Sequence, residues 1–144
     1  MIRRFLAASL AALLSLALLL LPRLLGGAPL FAGADSYLFY ARSASSQAVI
    51  YSASAAEAGA VRASLADRTG ESAFYADAAD AFAQAERYGA ALLFAERVGD
   101  VVNYYYRAPA LGGGVWLDGR RVNLHVAVRG ESAAVGTPLI FGGY

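Results

Sequence analysis

The sequence predicts an α+β domain: a single antiparallel β-sheet with two helices packed on one face, preceded by an N-terminal hydrophobic helix. First, Asp118-Gly119 separates two β-rich runs and predicts a hairpin, because both central residues of such a turn need a positive φ. Second, apolar and polar residues alternate over residues 121–129, which is the period of a strand with one buried face. Third, the predicted order ββα(β)αβββββ separates the helices from most of the strands, as is typical of α+β folds.

Composition and charge exclude several classes of function. The chain has 144 residues and no cysteine, which excludes disulfides, thiolate catalysis, Fe–S clusters and cysteine-bound zinc. All 12 basic residues are arginines, and three of them precede Asp35. From Asp35 onward acidic residues outnumber arginines by two, so this part lacks the clustered positive charge that nucleic acid requires. We therefore expect no nucleic-acid partner.

The first residues predict a targeting or anchoring segment. Residues 5–21 carry no charge, contain nine leucines and follow Arg3-Arg4. As a helix this run would be ~26 Å long, close to the ~30 Å of a bilayer core. The double arginine places the N-terminus in the cytoplasm and the rest of the chain outside. Residues 1–34 are thus expected to be a signal peptide or an N-terminal membrane anchor, and 35–144 an exported domain at the cell membrane or secreted.

Cleavage and retention of this leader both stay open. Ala32-Gly33-Ala34 has the small residues of a signal-peptidase site before Asp35. Against cleavage, the apolar run is longer than usual and lies far upstream of that site. If the leader is retained, residues 5–21 hold the protein in the membrane.

After the leader the chain alternates strand and helix signals. Residues 37–41 and 47–51 are aromatic and β-branched and predict the first two strands. Ser54 and Glu57 have the spacing of a capping box and predict a helix to about Arg68, ended by Gly70. Gly59 inside this helix costs roughly 1 kcal/mol relative to alanine.

A second helix and the remaining strands follow. Asp77 predicts the N-cap of a helix over 78–88, with Gly89 at its C-terminal side. Strands are expected at 72–75, 92–95, 101–107 and 135–141, and residues 108–114 form a flexible loop. Because Pro138 cannot donate to a ladder, the last strand is expected to be an edge strand or to carry a bulge. Core packing is expected among Val102, Tyr104, Tyr106, Phe94 and Trp116.

The C-terminal part of the chain resembles the YwmB family. The resemblance rests on Val122-Asn123-Leu124-His125-Val126-Ala127, on Val135-Gly136-Thr137-Pro138-Leu139-Ile140 and on the final Tyr144, with a looser match at Asn103-Tyr104-Tyr105-Tyr106. It covers mainly the last ~45 residues. Members are exported proteins of Gram-positive, mostly spore-forming bacteria. The resemblance implies a fold similar to the TATA-box-binding protein, with helices on the convex side of a curved sheet, and it supplies no catalytic residues.

Polar side chains of two predicted strands form the candidate binding face. Equal parity puts three residues of each strand on one side of the sheet: Asn103, Tyr105 and Arg107, and Asn123, His125 and Arg129. Aromatic rings supply contact area and amide and guanidinium groups supply orientation, as in partner surfaces. An ordinary solvated sheet face is the alternative.

No catalytic or metal centre is expected. His125 is the only histidine, and no cysteine, nucleophile motif or ligand-spaced cluster accompanies it. We expect a non-enzymatic domain, without metal or cofactor, that binds an unknown envelope protein or ligand through this face. Two alternatives stay open: a small cell-envelope hydrolase that uses His125, and a structural or assembly protein that uses the edge strand containing Pro138.

Overall fold

The structure, a computed structural model, describes residues 9–18, 27–44 and 48–141. Its strands are β1 (Ser36–Arg42), β2 (Ala48–Ser54), β3 (Arg68–Tyr75), β4 (Ala91–Val98), β5 (Val101–Arg107), β6 (Val115–Leu117), β7 (Arg120–Val122), β8 (Leu124–Arg129) and β9 (Ser132–Thr137). The helices after residue 27 are α1 (Ala58–Ser64) and α2 (Ala78–Arg87), and Pro109–Leu111 form a 3₁₀ turn. The predicted α+β class with an antiparallel sheet is confirmed, but the expectation of a single sheet is wrong, because β6 and β7 form a second one.

Seven strands form the main sheet in the order β2-β1-β3-β9-β8-β5-β4, and every neighbouring pair is antiparallel. β6 and β7 form a separate two-stranded sheet. The core lies on one face of the main sheet and contains Phe39 of β1, Ala73 of β3, Leu124 and Val126 of β8 and Val135 of β9. Ala58, Ala81 and Ala85 of the helices belong to the same cluster.

The described part of the leader is helical at residues 9–18, and its leucines are exposed. Among the described residues no helix is long and apolar enough to cross a membrane. The predicted run of residues 5–21 extends beyond the described residues at both ends. Residues 27–34, also assigned to the leader from the sequence, instead pack against the domain, and Phe31 is fully buried.

α1 is shorter than predicted, and its predicted capping box forms only in part, because the N-cap is Glu57 rather than Ser54 and no side chain binds a helix N–H, although Glu57 contacts Ser54. Glu57 Oε2 lies 2.7 Å from Ser54 Oγ and 3.3 Å from Ser54 N. These two hydrogen bonds lower the pKa of the Glu57 carboxyl, and the bond from the Ser54 hydroxyl has the larger effect. At the C-terminal end of the helix, the Arg68 guanidinium donates to the carbonyl of Leu65 at 2.6 Å. The last carbonyls of a helix have no acceptor role within the helix itself, so a nearby side-chain donor satisfies them. Gly70 lies inside β3 and does not end the helix.

α2 follows the sequence prediction closely. Asp77 is its N-cap, and Asp77 Oδ1 accepts from the backbone N–H of Ala79 at 2.8 Å. Gly89 follows the helix with a φ of 58°, the left-handed conformation that a glycine adopts without a Cβ clash.

The hairpin at Asp118-Gly119 is present, but the strand after it is not continuous. The two turn residues have φ angles of 47° and 70°, as the sequence predicted. β7 ends at Val122 and β8 begins at Leu124, so that β7 pairs with β6 and β8 joins the main sheet. The predicted single strand is therefore wrong at Asn123, whose buried amide binds the loop 108–112.

Three further predictions are corrected by the sheet. β9 ends at Thr137, so Pro138 follows the strand, and β9 lies between β3 and β8 rather than at an edge. The edge strands are β2 and β4. Trp116 is 71% exposed in the small sheet, where β6 has no core above it, so its predicted place in the core is wrong. Phe94 stacks on Tyr105 and thus lies with the opposite face.

Candidate functional site

The candidate site lies on the sheet face opposite the core. Tyr105, His125, Gly136 and Ser72 are successive partners across β5, β8, β9 and β3. Directly opposite residues of paired strands project to the same side, so this row shares one face. At the start of β8 both faces of the strand are nevertheless buried. Leu124 on the core face is 0% exposed, and His125 on the opposite face is only 8% exposed. The alternative of an ordinary solvated sheet face is therefore wrong at His125.

Residues 138–141, the C-terminal segment, cover part of this face. Ile140 donates its backbone N–H to His125 Nδ1 at 3.3 Å. The Tyr40 hydroxyl contacts both the N–H and the carbonyl of Phe141 at 3.0 Å, and it also bonds to the Ser72 hydroxyl. Burial raises the pKa of Tyr40.

Gly136 allows the C-terminal segment to cross the sheet closely. A Cβ at this position would lie 2.8 Å from Ser72 Oγ and 2.9 Å from Ile140 Cγ1. These separations are too short for a methyl group, so glycine is required beneath the crossing segment.

His125 is held by both of its ring nitrogens. Because Ile140 N–H donates to Nδ1, the proton resides on Nε2, which donates to Asn103 Oδ1 at 2.9 Å. Burial lowers the pKa of His125 to about 4, so the ring is neutral at pH 7. It stacks on the Tyr105 ring at a centroid distance of 4.6 Å. Its role in this arrangement is to fix the face, because neither nitrogen is free to move a proton.

Tyr105 links this histidine to β4. Its ring stacks on Phe94 at 4.6 Å, and its hydroxyl donates to Glu96 Oε1 at 2.8 Å. Burial, with a smaller contribution from the Glu96 carboxylate, raises the pKa of Tyr105 to about 12. The Arg120 guanidinium lies 5.8 Å from the Phe94 ring centroid and continues the stack.

An open groove of about 340 Å³ runs between β4 and the C-terminal segment. We call it the His125 groove. Asp100 and Arg129 form an exposed ion pair at 3.2 Å that lines it. Its remaining lining residues combine carboxylate, amide and apolar groups: Glu96, Val98, Val101, Asn103, Tyr105, His125, Ala127 and Ile140.

The structure brings together four of the six residues selected from the sequence, namely Asn103, Tyr105, His125 and Arg129. The other two lie apart from the groove. Arg107 donates to the carbonyl of Gly113 at 2.9 Å. Asn123 is fully buried, because its side chain bonds to the N–H and carbonyl of Ala108 and to the carbonyl of Gly112, each at 2.7 Å.

Sequence reasoning missed several residues of the groove. Glu96 was missed because the strand was expected to end at Ala95, whereas β4 continues to Val98. If the alternation of strand faces had been extended by one residue beyond Ala95, it would have suggested Glu96 as a residue of this face. Ile140 lines the groove because the chain turns back after β9, and no local pattern in the sequence signals that turn.

The groove presents charged and amide groups on one open surface. Glu96 and Asp100 supply negative charge, Arg129 supplies positive charge, and Asn103 supplies an amide. In the part of the chain that the structure describes, no group of three or more His, Asp or Glu residues could hold a metal ion.

Compared with protein-family models, curated proteins and solved structures, the chain matches none of them.

Proposed function

We propose that this chain is an exported or membrane-anchored, non-enzymatic domain, similar to the YwmB family, that binds an envelope partner through the His125 groove. The observation that carries the proposal is the convergence of Glu96, Asp100, Asn103 and Arg129 around one open groove on a buried floor of stacked rings. Rigid rings hold the floor in place, and charged groups at the rim are accessible to a ligand.

The proposal includes both helices on the core face of the sheet. Its support is that Ala58 of α1 and Ala81 and Ala85 of α2 belong to one buried cluster with Leu124 and Val135. Helices on that face leave the opposite face available for binding. This layout agrees with the sheet and helix layers that the YwmB resemblance implies.

The membrane part of the proposal rests on sequence. The apolar residues 5–21 would anchor the chain or direct its export, and Arg3-Arg4 would set its orientation. The net negative charge after Asp35 favours partners other than nucleic acid.

The test uses accessible rim residues instead of the buried rings. Tyr105 and His125 are 9% and 8% exposed, so their substitution would change stability as well as binding. We would crosslink the tagged full chain in its native envelope and compare capture by the double variant Glu96→Gln, Asp100→Asn. The matched control is Glu86→Gln, Asp118→Asn, which removes the same charge outside the groove.

The expected result is loss of the captured partner with the groove variant and full capture with the control, at equal melting temperature. Equal capture by both variants would contradict the proposal. The His125 hydrolase alternative has less support, because both ring nitrogens are occupied.

Assembly through a sheet edge is a second candidate function. The edge concerned is β2, because the strand before Pro138 lies inside the sheet. Val49, Ile50 and Tyr51 of this edge strand are 36%, 46% and 41% exposed. An exposed apolar edge is a template for strand addition. Concentration-dependent self-association that Ile50→Lys abolishes and Leu92→Lys on the other edge leaves intact would support this candidate.

A further inference from the structure

Residues 30–34, just before β1, contribute side chains to the core. Phe31 is fully buried and Ala34 is 4% exposed. The Phe31 ring meets Tyr88 edge-on at a centroid distance of 6.1 Å. Leu30 packs against the same cluster. A dispensable leader would not supply one of the largest fully buried side chains of the domain.

The backbone of this segment is bound by side chains of the domain. Leu30 N–H donates to Glu71 Oε1 at 2.5 Å, and the carbonyl of Leu30 accepts from the Tyr88 hydroxyl at 2.6 Å. The carbonyl of Ala32 accepts from the Tyr75 hydroxyl at 2.8 Å, and its N–H donates to Gln84 Oε1 at 3.1 Å.

Tyr37 fastens the remaining part of the segment. Its hydroxyl donates to the carbonyl of Phe31 at 2.9 Å and accepts from the N–H of Ala34 at 3.2 Å. Asp35 then joins the sheet, since its N–H donates to the carbonyl of Phe74 at 2.9 Å. Polar groups of β1, β3 and α2 therefore use residues 30–34 as their partners.

The contact continues toward the N-terminus as far as Gly27. Gly27 is buried, and a Cβ placed on Gly59 of α1 would lie 3.3 Å from its carbonyl oxygen. A glycine in the first turn of α1, unfavourable for a helix, is thus explained by the chain that passes over it.

We infer that residues 27–34 are a permanent segment of the folded domain and that the Ala34–Asp35 bond is not a processing site. Cleavage there would leave a void at the place of Phe31. It would also deprive the hydroxyls of Tyr37 and Tyr75 and the buried Glu71 carboxylate of hydrogen-bond partners. The inference rests on this packing and is independent of the His125 groove.

The first test determines where the natural chain begins. The full chain with a C-terminal tag is expressed in an exporting Gram-positive host, and its intact mass is compared with that of Ala32→Arg. Ala32 is exposed, and an arginine there blocks a signal-peptidase cut after Ala34. Ala28→Arg, also at an exposed position, is the control.

We expect all three proteins to begin at Gly27 or earlier, with masses that differ only by the substitutions. A chain that begins at Ala28 or later would overturn the inference, as would an N-terminal extension that appears only with Ala32→Arg.

The second test measures amide exchange in the full chain. The N–H groups of Leu30, Ala32 and Ala34 are expected to exchange more than about 100-fold more slowly than those of the exposed loop at Gly113. Exchange at the rate of that loop would overturn the inference, and this outcome does not depend on whether the groove variants still capture a partner.

Discussion

Arg62 Nε lies 2.7 Å from Glu71 Oε2, and the Glu71 side chain is only 3% exposed. The other carboxylate oxygen accepts from the backbone of Leu30, so this one side chain joins α1 and β3 to the N-terminal segment. The second ion pair, Arg129 with Asp100, has side chains that are 48% and 75% exposed. The two pairs differ in burial, and they should therefore differ in their effect on stability.

Glu71→Ala should lower the free energy of unfolding by about 3–5 kcal/mol, because it removes a buried carboxylate that binds both the Arg62 guanidinium and the Leu30 N–H. Urea denaturation of the full chain measures this. Asp100→Ala is the matched control and should change stability by less than about 1 kcal/mol, because its ion pair is in solvent. Similar losses for both variants would show that the buried position of Glu71 has no special importance.

The stability of the domain should fall as the pH drops from about 6.5 to 4. His125 titrates near 6.5 when unfolded and at about 4 when folded, so in this window the unfolded chain binds a proton that the folded chain does not. The loss attributable to His125 is about 3 kcal/mol at pH 4, and it is absent above pH 7.

Urea unfolding at several pH values, on the native chain and on His125→Gln, measures this effect. The carboxylates of Glu96 and Asp100, which line the same groove, remain in both proteins, so the comparison isolates the His125 ring. A difference between the two proteins that does not vary with pH would contradict the prediction.

Asn123→Ala should destabilise the domain by about 2–4 kcal/mol, because it removes three hydrogen bonds and leaves the buried N–H of Ala108 without its acceptor. The change in melting temperature reports it. Asn103→Ala, which removes the hydrogen bond to His125, should have a smaller effect. A larger loss of stability with Asn103→Ala than with Asn123→Ala would contradict the prediction.

Trp116→Ala should alter the free energy of unfolding by less than about 0.5 kcal/mol, because the ring is 71% exposed. Leu124→Ala, at a fully buried position on the core face, should cost about 2–5 kcal/mol. Chemical denaturation of both variants provides the comparison. A large loss with Trp116→Ala would restore the sequence-based expectation that this ring belongs to the core.

The sequence predicted well those features whose causes lie within a few residues. Positive φ angles at Asp118-Gly119 follow from the turn chemistry of that pair, and the Asp77 cap follows from a carboxylate placed before free backbone N–H groups. The alternation of β5 also placed Asn103 and Tyr105 on one side of the sheet, and both line the groove.

The features that the sequence missed depend on partners far along the chain. Asn123 continues the alternation of polar and apolar residues in its neighbours, yet the strand is interrupted there. Its side-chain amide binds the backbone of Ala108 and Gly112, which lie far from it in the sequence. Phe31 belongs to an apolar leader by composition, yet it is buried in the core, and the hydroxyls of Tyr37 and Tyr88 bind the carbonyls of Phe31 and Leu30.

By itself, the sequence determined the α+β class, the hairpin, the second helix and the absence of cysteine chemistry. Tertiary structure decided which polar residues share the groove, how the C-terminal segment crosses His125, and that Phe31 is buried. The physical reason is range: turn and cap energies depend on adjacent residues, whereas burial depends on which distant segment covers a face.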